Sequence, residues 1–95
     1  MLTEAQVATR SAAVYLKKLC RHFAHRVPAT LTGDQGIIEF PFGRCRIDTS
    51  PQQIRFSIDV VEADELATAE RVVTDHLLRL ARDDDLVVHW TRSEQ

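Results

Sequence analysis

The stretch IRFSIDVV, residues 54 to 61, constrains the fold of this chain more than any other. Ile54, Phe56, Ile58 and Val60 alternate with Arg55, Ser57, Asp59 and Val61, a period of two that describes a strand with one face in the core and one in water. A sheet built on such a strand has an apolar side that something else must cover. The same period runs back to Pro28. Ala29 to Thr32 reads as a strand, Gly33-Asp34-Gln35-Gly36 has turn chemistry, and Ile37 to Phe40 reads as the returning strand. Ile38, Phe40 and Phe42 share even parity whereas Cys45 and Ile47 are odd, so the chain must reverse between them, and Pro41-Phe42-Gly43 supplies the residues to do it. Ser50-Pro51 marks the next reversal.

Two segments have the helical period that would provide the cover. From Ser11, the residues Ala12, Leu16, Leu19 and Phe23 recur at intervals of three and four, with Thr9 or Ser11 as N-cap. Lys17, Lys18, Arg21, His22, His25 and Arg26 occupy the other side and the last turn, where positive charge meets the negative end of the helix dipole. Pro28 closes this helix near Arg26 or Val27, because the residue before a proline is pushed out of helical geometry. A second helix is predicted from Asp64 to Arg82, with a stripe of Leu66, Ala69, Val73, Leu77 and Leu80 and with Val72 and His76 at its margin. Asp64 and Glu65 suit its start, Arg79 and Arg82 its end, and Asp83-Asp84-Asp85 stops it.

Leu2 to Ala8 reads as an edge strand, Leu86 to Thr91 as a final strand with Leu86, Val88 and Trp90 on one face, and Arg92 to Gln95 as a polar tail. The order is then β-α-β-β-β-β-α-β. Two amphipathic helices and a sheet with one apolar face make a two-layer α+β sandwich, mostly antiparallel, with both helices on one face and the two imidazoles of His22 and His25 turned to water. Ninety-five residues suffice for a single domain, residues 1–95.

Composition excludes several functions. The N-terminal stretch carries Glu4 and Gln6 where a secretory leader needs an unbroken apolar core, and no apolar run approaches the roughly 20 residues that span a bilayer. This places the protein in the cytoplasm, with Cys20 and Cys45 as packed thiols. Charge is divided along the chain: residues 1 to 46 carry a net +4 and residues 47 to 95 a net −6, a pattern of oppositely charged faces that steers a charged partner or favours association. A pI of about 6.0 and an aromatic content of 6% are a weak footprint for nucleic-acid binding. No phosphate loop is present.

The candidate chemistry centres on LCRHFAHRV, residues 19 to 27. His22 and His25 lie three apart on one side of a helix and could share a metal ion, whereas Cys20 points about 200° away from His22. A structural zinc site needs four ligands, and only this pair is apparent, so no cofactor is expected. Thiol catalysis by Cys20 lacks a visible base and orienting group. Acid–base work would have to pair Glu39 with His22 or His89. The alternative is recognition: Phe42, if exposed at its turn beside Arg44 and the histidine end of the first helix, would be an aromatic anchor next to positive charge.

The runs YLKKLCRHFAHRVPAT and GIIEFPFGRCRID resemble the small bacterial family called domain of unknown function twenty-two-eighteen, over essentially the whole chain. The resemblance supplies no catalytic residues. It implies an association with flavin-dependent siderophore-interacting ferric reductases, and hence a role near iron uptake. The expectation is therefore an accessory domain that binds a protein partner such as such a reductase, or an anionic ligand, through Arg21, His22, His25, Arg26, Phe42 and Arg44. A metal carrier or enzyme using His22 and His25 is the alternative, and a homodimer joined by edge strands is compatible with either.

Overall fold

The computed structural model describes residues 1–93. Its elements are β1 (Leu2–Ala8), α1 (Ala12–Phe23), β2 (Ala29–Thr32), β3 (Gln35–Phe40), β4 (Gly43–Ser50), β5 (Gln53–Val60), a 3-10 turn at Ala63–Glu65 leading into α2 (Leu66–Leu80), and β6 (Trp90–Ser93). The strands form a six-stranded antiparallel sheet in the order β2-β3-β4-β5-β1-β6. The α+β sandwich expected from periodicity is the fold observed.

Register shows which face carries the helices. Ala29, Ile38, Cys45, Ile58, Thr3 and Arg92 are successive cross-strand partners in one row, and directly opposed residues share a face. On that face a Cβ at Gly36 would lie 2.7 Å from Cys20 Sγ and 2.8 Å from Leu16 Cδ1, so α1 rests on the backbone of β3. On the same face Thr3 Oγ1 donates to Glu70 of α2 (2.7 Å) and the Trp90 indole donates to Thr74 (2.8 Å). Both helices therefore cover one side, over a core centred on Phe56, Leu16, Leu19 and Leu77, all nearly inaccessible to solvent. The alternation of Ile54 to Val60 is realised without a break: each of the four is fully buried.

The opposite face is polar and uncovered. Arg44 pairs with Glu39, Arg46 with Asp48 (3.2 Å) and Arg55 with Glu4 (2.6 Å). Exposed pairs of this kind contribute roughly 0–1 kcal/mol each, so they add little to stability.

Four sequence expectations are corrected. β1 is an interior strand between β5 and β6, because Thr3, Ala5 and Val7 give it a fully buried face. The last strand is Trp90–Ser93 rather than Leu86 to Thr91. Residues 86 to 89 lie outside the sheet, the pairing with β1 beginning at Trp90 opposite Ala5, while Arg92 reaches the helix-covered face and is held there by Glu70 at 2.8 and 2.9 Å. The part of the expected polar tail at residues 94–95 lies outside the described residues. α1 ends at Phe23, whose carbonyl accepts from both Arg26 and Val27 (2.9 Å each) in the turns before Pro28. Finally, Ser11 caps α1 without a side-chain hydrogen bond, and Thr9 Oγ1 instead accepts from the Ser11 amide at 3.0 Å.

The Glu70 contact is testable. Hydrogen bonding from Arg92 foremost, and from Thr3, holds the Glu70 carboxyl below its ordinary 4.5, against the upward push of burial. A carboxylate whose folded pKa is depressed stabilises the fold above its unfolded pKa, and that stability is lost as pH falls through the folded value. Amide exchange in β6 should therefore accelerate below about pH 4.5 relative to β4 and β5; equal acceleration in all strands would show that Glu70 does not anchor β6.

Candidate functional site

The helix layer is where the charge expected from sequence collects. Tyr15 of α1 donates to Asp84, beyond the end of α2, while His22 near the other end of α1 meets His76 of α2, so the helices run antiparallel. Their basic margins then face each other. His22 and His25 come from α1 and the turn after it, Arg26 follows, and His76 and Arg79 come from α2 at the same spacing of three. These five groups line a cleft of about 470 Å³ whose floor is Phe23, Val27, Phe40 and Val72. No carboxylate among the described residues lines it.

The floor is an aromatic run. Phe42 stacks on Phe40 (centroids 4.8 Å apart, planes 15° apart), Phe40 meets Phe23 edge-on (4.8 Å, 84°), and Phe23 touches both His76 (4.7 Å) and His22 (5.2 Å). The His22 and His76 rings are 5.0 Å apart. Edge-on and offset contacts of this kind fix ring orientation beyond simple burial. His76 Nδ1 lies 2.6 Å from the Val72 carbonyl, which can only accept, so Nδ1 carries a proton and donates. That leaves Nε2 as the nitrogen for a ligand.

Electrostatics favours an anion here. Partial burial, then the neighbouring His76, His25, Arg79 and Arg26, push the His22 pKa below its ordinary 6.5. Each of those neighbours makes a second positive charge unwelcome and a negative one welcome. Arg26 and Arg79 have no ion-pair partner among the described residues, in contrast to Arg44, Arg46, Arg55 and Arg92. The partial negative charge at the end of α1 opposes an anion, but it amounts to about half an elementary charge, against two permanently charged guanidinium groups.

The residues singled out from sequence are thus divided. His22, His25 and Arg26 come together. Arg21 lies on the other flank of α1, in a shallow groove with Lys17, Cys20, Ala29 and Leu31. Arg44 is on the uncovered sheet face, paired with Glu39. Phe42 is not an exposed anchor: it is only 7% accessible, because the turn folds its ring back against Phe40. Glu39 likewise faces away from the helix layer that holds His22, so the acid–base pair considered for them is not assembled. Cys20 and Cys45 are free and buried, and burial pushes Cys45 up to about 12 and raises Cys20, so neither is a thiolate at neutral pH. Among the described residues no group of three or more His, Cys, Asp or Glu side chains is arranged to hold a metal ion.

In the sequence His76 falls at the margin of an apolar stripe and Arg79 at a helix end, so neither stands out as a site residue. The signal that would have found them is the repeat of a basic pair at three-residue spacing on both helix margins, which antiparallel packing brings face to face.

The family model for an uncharacterized protein conserved in bacteria, DUF2218, matches residues 4–91. The fold is similar to that in the NMR structure of PA4090 from Pseudomonas aeruginosa, with a TM-score of 0.82 and 32% sequence identity over 99% of this chain and 98% of that one. No curated protein matches the sequence significantly. No helix among the described residues is long and apolar enough to cross a membrane.

Proposed function

This chain belongs to the DUF2218 family of uncharacterized proteins conserved in bacteria, and from that premise we propose that it is a non-catalytic binding module whose helix-layer cleft captures an anionic ligand. One observation carries the reading: five basic groups, from α1, the turn after it and α2, converge on a single cleft that no carboxylate among the described residues lines. Arg26 and Arg79 are exposed and have no ion-pair partner among the described residues, and unpaired guanidinium groups around one cleft suit an external anion. The aromatic floor fixes the two facing imidazoles, since Phe23 packs against both His22 and His76. Nothing in the arrangement supplies a nucleophile with a base.

The association with siderophore-interacting reductases that the family resemblance implies puts ferric siderophores, which are often anionic chelates, first among the ligands to test, with the protein acting in the cytoplasm beside such a reductase. The experiment is titration of the wild-type chain and of an Arg26→Ala/Arg79→Ala double variant with a ferric tris-catecholate and, separately, with pyrophosphate as a plain polyanion. The double variant should lose at least about tenfold in affinity for whichever anion binds, since charge-assisted hydrogen bonds contribute about 1.5–3 kcal/mol, and it should keep its Tm because both side chains are exposed. Binding should also weaken as salt is raised from about 0.05 to 0.5 M. Unchanged affinity in the double variant would end the proposal, and pyrophosphate binding without chelate binding would end only the siderophore assignment.

A further inference from the structure

We infer that the ligand of this cleft is an organic anion with a planar, apolar body, an aromatic carboxylate or aryl phosphate in type, and not a bare inorganic ion. The inference rests on the anion-binding reading above and deepens it. The cleft is layered by polarity: His25, Arg26 and Arg79 are exposed at the rim, whereas Phe23 is buried and Val27, Phe40 and Val72 are half-buried beneath them. An inorganic anion satisfied by the rim leaves that floor in contact with water. A ligand that places its acid group between Arg26 and Arg79 and its ring on Phe23 and Phe40 uses both layers at once.

The size agrees. A volume of about 470 Å³ falls in the range of about 300–1,000 Å³ typical of small organic ligand sites. The floor rings are also held before any ligand arrives. Phe40 is gripped between Phe42, stacked on one side, and Phe23, set edge-on at the other, so a bound ring meets a preformed surface and little ordering cost is left for binding. Planar guanidinium groups suit a planar acid group, to which they can donate two parallel hydrogen bonds. His76 Nε2 adds a ring nitrogen that can accept from a hydroxyl beside the acid group, because its Nδ1 is committed to Val72.

The test is a chemical-shift titration of the full chain with phenyl phosphate, inorganic phosphate and benzyl alcohol, which separate ring plus charge, charge alone and ring alone. Phenyl phosphate should bind about tenfold or more tightly than phosphate, as expected when a ring is removed from water, with shifts at Phe23, Phe40, Val72 and His76, and benzyl alcohol should bind more weakly than either. A Phe40→Leu variant should bring the affinity for phenyl phosphate toward that for phosphate; if that variant does not fold, the three-ligand comparison on the wild-type chain decides. Equal affinities for phosphate and phenyl phosphate would overturn the inference and leave the anion reading standing. Benzyl alcohol binding as well as phenyl phosphate would overturn it, as would shifts confined to the rim. No binding of any of the three would remove both.

Discussion

Replacing Gly43 by alanine is expected to destabilise the domain by about 3 kcal/mol or more, a fall in Tm of roughly 10–20 °C. Gly43 opens β4 and pairs with Phe40 on one side and Val60 on the other. Its φ of 152° lies where residues with a side chain are strained. A Cβ there would collide with the Asp59 carbonyl oxygen and lie 3.0 Å from both the Asp59 carbonyl carbon and Val60 Cα. These are backbone atoms of an adjacent strand, and they cannot move aside without breaking the β4–β5 ladder. The loss should reach the cleft too, because this turn tucks Phe42 against Phe40. Thermal unfolding and ligand titration of the variant check both parts. A loss below about 1 kcal/mol would mean that the strand relaxes in a way the packing does not suggest.

The second large effect is on binding. Affinity for an anion should rise as pH falls from about 8 to 5.5, by up to tenfold per pH unit for each proton taken up. In the free protein the folded pKa of His22 is depressed, so its neutral form contributes stability above the unfolded value of about 6.5, and that stability is lost as pH falls through the folded value. His76, His25, Arg79 and Arg26 face the ring, and no carboxylate among the described residues lining the cleft offsets them. A bound anion reverses the balance and draws a proton onto His22. Benzenesulfonate is the ligand to use, since its own charge is constant across the window. His22→Gln should flatten the profile, and pH-independent binding by the wild type would refute the coupling. Without ligand, the same acidification should lower Tm.

Much of this architecture was legible because water enforces it. The strand from Ile54 to Val60 and the stripes of both helices follow the period their geometry demands, and their residues are buried as expected except Leu80 at the end of α2, which is half-buried. β1 was harder: its inward residues are Thr3, Ala5 and Val7, small or polar, and Thr3 is tolerated inside because Glu70 accepts its hydroxyl. β6 was misplaced for a related reason. Arg92 looks like a tail residue until a carboxylate from α2 appears above it. The binding cleft was half legible. His22, His25 and Arg26 are adjacent in sequence, but His76 and Arg79 join them only through helix packing, and Arg44 leaves the group because one residue of parity turns it to the other face of the sheet.

The register of the outermost strands carries a further consequence. Leu2 and Ser93 are directly opposed on β1 and β6, so the two ends of the domain leave the sheet about 5 Å apart. A polypeptide passing through this module returns almost to the point at which it entered, and a host protein could accommodate it within a surface loop as a pendant unit. By the same geometry, a short glycine-rich splice joining the outer ends of β1 and β6, with new ends cut at Gly33-Asp34, should give a circular permutant in which the cleft is intact.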